Sequence, residues 1–179
     1  MPRPIASDGT RALLQSVVEV ARAIFGAAAS SVFLVDEDAG ELVFQAVAGE
    51  GEEFLVGTRF PAHRGIAGWV ASSGQAMIAD DLTGVPQFAR DLAESTRYVP
   101  DALMAAPLLS DGRVLGVLEV LDPAPRSRSD LGDLDLLSLF AHQAALALRV
   151  AGEAHRPAGD LVNAVDIVDA FRDFLHTRG

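Results

Sequence analysis

The stretch "ALMAAPLLSDGRVLGVLEVLD", residues 102–122, decides the fold of this chain. Two apolar runs flank the turn residues Ser110–Gly112, a pattern typical of a β-hairpin. Both runs are apolar almost throughout, so we predict central strands that are buried on both faces. Glu119 breaks the second run, and a carboxylate in such a strand needs a partner or a polar ligand.

A second hairpin precedes it along the chain. The segment "SSVFLVDEDAGELVFQAVAG", residues 30–49, has two β-rich runs around the turn Asp36–Gly40. Shorter strands are predicted in "VGTRFPAH" at 56–63 and in "QAMIAD" at 75–80. Together these runs predict an antiparallel sheet of five to six strands.

Amphipathic helices flank the predicted sheet at 9–25 and 130–151. Each carries apolar residues along two neighbouring stripes at spacings of three and four. One sheet face can cover only one side of a helix, so we predict that the second stripes meet in a homodimer, while a tightly wrapped monomer is the alternative. The predicted interface residues are Leu13, Val17, Val20, Ile24, Leu137, Ala141, Ala144 and Leu148.

The middle of the chain is less regular. In "GIAGWVASSGQAMIADDL", residues 65–82, a short helix breaks at Ser72–Gly74 and is followed by a short strand. Residues 82–100 follow as a long irregular segment with a short helix predicted around 86–93. Loops of this length tend to be functional or mobile.

The predicted domain organisation has four parts. Residues 1–8 are expected to be a flexible N-terminus, 9–152 a folded domain, 153–160 a Gly/Pro-containing linker and 161–177 an amphipathic helix. We expect a stand-alone domain, because the residues after Gly152 are too few for an effector such as a kinase or cyclase.

Composition excludes several functions. The net charge of −11 disfavours nucleic acid and anionic membrane as partners. The chain contains no cysteine, which excludes disulfides, thiolate metal sites and thiol nucleophiles. Neither a secretory signal nor a membrane-spanning apolar run is apparent, so we expect a soluble cytoplasmic protein.

The order of these elements, with three phrases and the helix after them, resembles the GAF domain, a family of small-molecule sensors. The phrases are "SSVFLVDEDAGELVFQAVAG" (30–49), "GIAGWVASSGQAMIADDL" (65–82) and "LMAAPLLSDGRVLGVLEVLD" (103–122), followed by "DLDLLSLFAHQAALAL" (133–148). The resemblance covers roughly residues 10–152. It implies an α+β fold of the GAF/PAS kind, with the terminal helices on one sheet face and short helices and loops over a pocket on the other.

Two functions are compatible with this resemblance. The first is a sensory domain that binds a small, uncharged or cationic molecule and passes the change through its helices to a separate signalling protein. The second is a dimeric interaction scaffold with a collapsed pocket and no ligand. The residues predicted to contact a ligand are Phe44, Phe60, Ile66, Asp81, Phe88, Tyr98, Ala105 and Glu119. The glycines Gly65 and Gly68 are expected to let the short helix approach the sheet closely.

The cofactors known in the family are not expected here. Bilin attachment needs a cysteine, which the chain lacks, and only Asp133 matches the signature of cyclic-nucleotide-binding members. Haem would need an axial histidine, and His63 is the best placed of the four histidines for that role. A lone histidine without a motif is more often a surface residue, so we expect neither haem nor metal.

We predict that the chain is not an enzyme. It contains no Gly-x-Ser-x-Gly elbow, no Walker loop and no histidine-based metal motif. The pair Asp80-Asp81 is adjacent on an extended segment, so the two side chains point in opposite directions. Free methionine sulfoxide reductases share the GAF fold and use cysteine chemistry, which is closed to this chain.

Overall fold

A computed structural model of the chain describes residues 7–154. Residues 1–6 of the predicted N-terminus, the predicted linker from residue 155 onward and the helix predicted at 161–177 lie outside the described residues. The chain divides into two compact units, Met1–Ala147 and Leu148–Gly179. The sheet, the roof over it and the candidate site all lie in the first unit, and the described part of the second is the end of the last helix.

Six antiparallel strands form one sheet in the order β3-β2-β1-β6-β5-β4, which confirms the predicted α+β class. The strands are β1 (Ala29–Asp36), β2 (Glu41–Gly49), β3 (Arg59–Pro61), β4 (Met77–Ala79), β5 (Leu103–Ser110) and β6 (Arg113–Leu121). The helices are α1 (Asp8–Phe25), α2 (Gly65–Ser73), α3 (Arg90–Ser95) and α4 (Leu131–Ala154), with 3₁₀ turns at Leu82–Gly84 and Pro125–Ser127.

The hairpin predicted from residues 102–122 is β5–β6, and it lies next to β1 within the sheet. Asp111 and Gly112 form its two-residue loop, both with positive φ (50° and 76°). This is the conformation of the type I′ turn, whose twist matches that of the strands, and Asp-Gly is a preferred sequence for it. Pro107 is tolerated because β4 pairs only with Leu103–Ala105, so that edge of β5 is free where the proline lies.

Helix α1 packs across β1, β2 and β6, on the sheet face opposite the candidate site. Of its two predicted stripes, Leu14, Val18, Ala21 and Phe25 are buried. The other stripe remains on the surface, with Leu13 37%, Val20 43% and Ile24 40% exposed. Ser7 caps the helix start through its hydroxyl, and the helix ends at Gly26 as predicted.

The stripe predicted on α4 needs a correction. Leu137, Ala141 and Ala144 are buried within the single chain, so they are not available to a second copy, and Leu148 belongs to the second unit. The apolar side chains that the first unit leaves exposed on α4 are Leu131, Leu136 and Leu139. The stripe of three-and-four spacing that the sequence predicts to lie in a dimer interface therefore packs into the core of the chain itself.

The start of α4 and the position of α3 also differ slightly from prediction. Helix α4 begins at Leu131, one residue later than predicted, and Asp130 caps it, because its carboxylate accepts hydrogen bonds from the backbone N–H groups of Gly132 (2.7 Å) and Asp133 (3.2 Å). Helix α3 begins at Arg90, four residues later than the helix predicted around Pro86.

Candidate functional site

An apolar cavity of about 100 Å³ lies between the sheet and the segment 82–100, which we call the roof. Strands β1, β2 and β6 form its floor, α2 closes one side and α3 lies above it. The lining includes Ser31, Phe33, Leu42, Phe44, Val47, Leu55, Phe60, Ile66, Phe88, Leu92, Thr96, Tyr98, Leu103, Glu119 and Leu121. A space of this size holds several waters or one small organic molecule.

Most of the residues predicted from the sequence to contact a ligand do line this cavity. Six of the eight, namely Phe44, Phe60, Ile66, Phe88, Tyr98 and Glu119, are among its lining residues. They come from β2, β3, α2, β6 and the roof, which the fold brings together. Ala105 and Asp81 are the two that do not reach it.

Ala105 and Asp81 fail to reach the cavity for different reasons. Ala105 lies on the correct sheet face, in register with Met77 and Glu119, but it is completely buried in the apolar cluster beneath α2. The Asp81 carboxylate instead caps the 3₁₀ turn that follows it, accepting hydrogen bonds from the Thr83 hydroxyl (2.6 Å) and backbone N–H (2.9 Å). These hydrogen bonds hold the pKa of Asp81 below its usual range.

Glu119 is the central feature of the floor. Its side chain comes from β6, only 8% of the residue is exposed, and it lines the cavity. Among the described residues, no donor forms a hydrogen bond or ion pair with its carboxylate. Burial alone raises its pKa from the ordinary 4.5 to about 7.

Ser31 was not predicted, although strand pairing places it beside Glu119. The two residues are register partners on β1 and β6, so their side chains leave the same sheet face as neighbours. Ser31 is 4% exposed and also lines the cavity. Aligning the strands of the two predicted hairpins would have identified Ser31, since β1 and β6 pair directly.

Aromatic rings form one wall of the cavity. Phe33 and Phe44 lie with ring centroids 4.1 Å apart, and Phe60 meets Phe44 edge-on at 5.6 Å. Such pairs stabilise each other beyond the area they bury. These rings therefore give the cavity an apolar surface beside Glu119 and Ser31, which line the same cavity.

Tyr98 ties the end of the roof to the sheet. Its hydroxyl donates a hydrogen bond to Asp122 Oδ2, while Asp122 Oδ1 accepts from the backbone N–H groups of Asp101 (2.9 Å) and Ala102 (3.0 Å). Burial and the Asp122 hydrogen bond raise the pKa of the Tyr98 hydroxyl far above its usual range. Asp122 lies just after β6, on the connection that leads to α4.

Two further contacts hold the roof from outside. The Arg64 guanidinium, at the start of α2, binds the Asp91 carboxylate of α3 through two hydrogen bonds of 2.8 and 2.9 Å. That pairing raises the pKa of Arg64 and lowers the pKa of Asp91. Arg97 lies 4.9 Å from the centroid of the Phe54 ring, a cation–π contact.

Gly68 fixes α2 against the segment that precedes it. A Cβ at this position would lie 2.8 Å from the carbonyl oxygen of Ala62, closer than real Cβ atoms come to a backbone oxygen. The close approach is thus to the loop at Ala62–His63, not to the sheet as the sequence had suggested. Gly65 has a positive φ of 74° and faces only side chains at ordinary contact distance.

His63 is exposed and does not line the cavity; it borders a depression on the outer side of α2. Among residues 7–154, no group of three His, Asp or Glu side chains lies close enough together to hold a metal. Within the same residues, the stretch Leu131–Gly152 of α4 has the length and composition of a membrane-crossing helix, a test that core helices of soluble domains also pass.

The fold and its roofed cavity define a class, the α+β sensory domains. Within that class the GAF domain family model matches residues 10–148, so the chain belongs to the GAF family. Solved GAF structures agree with this. The GAF domain of a Coxiella burnetii phosphoenolpyruvate-protein phosphotransferase is similar at a TM-score of 0.72 and 20% identity, over 83% of this chain and 87% of that one.

Other similar proteins include a second GAF domain, a reductase and a probable phosphodiesterase. The second GAF domain of DevS from Mycobacterium smegmatis is similar at a TM-score of 0.67 and 22% identity, over 82% of this chain and 98% of that one. A free methionine-R-sulfoxide reductase from Neisseria meningitidis is similar at a TM-score of 0.62 and 26% identity, over 79% of this chain and 81% of that one. A probable 3′,5′-cyclic phosphodiesterase of Caenorhabditis elegans is 28% identical over 149 residues. This match covers 78% of this chain and 20% of the length of the phosphodiesterase.

Proposed function

We propose that the protein is a non-catalytic, cytoplasmic sensory domain that binds a small molecule in the cavity between the sheet and the roof. The observation that carries this is the Glu119 carboxyl, which is buried in an apolar cavity and has no partner among residues 7–154. Keeping such a group unpaired reduces stability. A ligand that completes its hydrogen bonding would offset this cost.

The absence of cysteine from the sequence supports a regulatory function over the reductase function of one structural relative. The cavity also gives no support to a phosphate-bearing ligand. Its one guanidinium, that of Arg64, is already engaged by Asp91, and its other titratable side chains are Glu50, Tyr98 and Glu119. An anion there would meet carboxylates rather than free cations.

A route for signal output follows the roof. Ligand binding under α3 would tighten the roof, and Tyr98 would pass the change to Asp122 through their hydrogen bond. Asp122 begins the short connection that runs through the 3₁₀ turn Pro125–Ser127 into α4. A change at this point would bias the start of α4 between two packings.

A homodimer remains part of this proposal. The exposed stripe of Leu13, Val20 and Ile24 on α1 is the surface best suited to it. Replacing Ile24 with Lys should convert a dimer to a monomer in light scattering, whereas replacing the exposed Glu19 with Lys should not. If the wild-type protein is itself a monomer at high concentration, the dimer is wrong.

Native mass spectrometry tests the ligand site. The wild-type protein, as purified or after mixing with a pool of small molecules, should carry a bound mass. Replacing Ala93 with Phe, on the cavity side of α3, should abolish it, whereas replacing Ser95 with Phe on the exposed side of the same helix should not.

Other outcomes would favour the alternative. A wild-type protein that never carries a bound mass would support the scaffold with a collapsed pocket. A bound mass that survives the Ala93→Phe replacement would place the ligand elsewhere on the protein.

A further inference from the structure

We propose that the ligand is a small hydrocarbon-rich molecule with a single protonated amine, which pairs with Glu119 and Ser31 on the floor of the cavity. This inference rests on the proposed function and names the chemical class of its ligand. It depends on the charge, partners and register of the residues that line the cavity.

Among the residues that the structure describes, one buried ionisable side chain lines the cavity without a partner, and it is an acid. Four titratable side chains line the cavity: Glu50, Arg64, Tyr98 and Glu119. Arg64 is paired with Asp91, Tyr98 donates to Asp122, and Glu50 is an exposed residue at the rim. Glu119 is left as the group that a ligand must satisfy.

The immediate neighbours of Glu119 provide one hydroxyl and otherwise carbon. Its register partners are Ser31 on β1 and Ala105 on β5. An ammonium group has three donors in a compact head, so it can donate to both the carboxylate and the Ser31 oxygen. A buried carboxylate binds a cation through a charge-assisted hydrogen bond, which is about twice as strong as a neutral one.

A metal ion does not fit the same position. Calcium takes six to eight oxygen ligands and magnesium demands an octahedral set, whereas here one carboxylate and one hydroxyl are available. Most of the other lining residues are apolar, including Phe33, Phe44 and Phe60. These surfaces fit the hydrocarbon part of an amine, aromatic or branched, and the volume of about 100 Å³ limits it to a small molecule.

Matched compounds test the proposal directly. Benzylamine, benzyl alcohol and benzoate share one apolar frame, and cyclohexylmethylamine, cyclohexylmethanol and cyclohexanecarboxylate share another. Binding is measured by calorimetry on the full chain at about pH 8, with cavity contacts followed by NMR. We expect each amine to bind at least about tenfold more tightly than its alcohol, and each carboxylate to bind weakest.

Two variants separate the role of Glu119 from net charge. Replacing Glu119 with Gln should reduce the amine-to-alcohol ratio to about one, while replacing Glu50 with Gln, at the rim, should leave it unchanged. Equal binding of amine and alcohol by the wild-type protein would overturn the amine but leave the ligand site standing. If none of the six compounds shifts the signals of cavity residues, the proposed amine and the proposed small-molecule site both fail.

Discussion

The two faces of the sheet are built by the same strands, yet they carry different side chains. On β6, Leu118 and Val120 point to the face that α1 covers, and both are completely buried. Between them Glu119 points to the opposite face, where the roof leaves a cavity. One face is packed for stability, while the other retains an unsatisfied carboxyl and unfilled space, which is what a binding site requires.

The largest expected effect on the free energy of unfolding comes from placing a carboxyl on the packed face of the sheet. Replacing Leu118 with Glu puts a carboxyl on the packed face, with neither cavity nor partner, and should lower the free energy of unfolding by more than about 4 kcal/mol. The matched change, Glu119→Leu, should raise the free energy of unfolding at about pH 8. Urea denaturation measures both, and comparable losses for the two variants would mean that the faces do not differ.

The next effect is a pH dependence that originates at Glu119. Its pKa is raised from 4.5 to about 7, so between these values the folded state binds more protons than the unfolded state. Stability should therefore fall by about 3 kcal/mol as pH rises from 4.5 to 7, and level off above that. Denaturant titrations should show that Glu119→Gln removes this slope. A slope that persists in the variant would assign it to another group.

Tyr98→Phe tests the attachment of the roof to the sheet. The change removes one hydrogen bond to Asp122, but Asp122 keeps its bonds to the backbone of Asp101 and Ala102. We expect the free energy of unfolding to fall by about 1–2 kcal/mol and backbone hydrogen exchange to become faster across residues 90–98. Exchange that is unchanged in the roof would show that Tyr98 does not hold it.

The smallest effect is expected at the ion pair on the outside of the roof. Arg64 and Asp91 have side chains that are 40% and 63% exposed, so solvent screens their attraction. Asp91→Asn should therefore leave the free energy of unfolding almost unchanged, and a double-mutant cycle with Arg64→Gln should give a coupling energy close to zero. A coupling well above this would mean that the pair is an essential clamp on the roof.

The fold was predictable because each hairpin has a turn and two flanking strands that are recognisable in a short stretch of sequence. The Ser110–Gly112 and Asp36–Gly40 turns, with apolar runs on both sides, were enough to assign four strands and the antiparallel class. The edge strands β3 and β4 are only three residues long, but each lies within a segment that the sequence predicts as a short strand, 56–63 and 75–80. The burial of the apolar stripe on α4 was not predictable in the same way, because periodicity shows that a face is apolar but not what covers it.

The site was only partly predictable for a related reason. Position along the chain placed Phe44, Tyr98 and Glu119 at the cavity, since each lies on a strand or roof segment that faces it. Ser31 required the pairing of β1 with β6, a contact between residues 88 positions apart in the chain. Asp81 was misassigned because a short polar side chain before a turn more often caps that turn than reaches a ligand.

Titration of the Glu119 carboxyl carbon by ¹³C NMR tests the central claim most directly, with the Glu119→Gln spectrum as the assignment control. We predict a midpoint at about 7 in the free protein, because the group is buried without a partner. With benzylamine bound, the midpoint should fall, because a neighbouring cation favours the ionised form. A midpoint near 4.5 both with and without benzylamine would contradict the account, since it would mean that Glu119 is solvated or already paired and does not bind a ligand in the cavity.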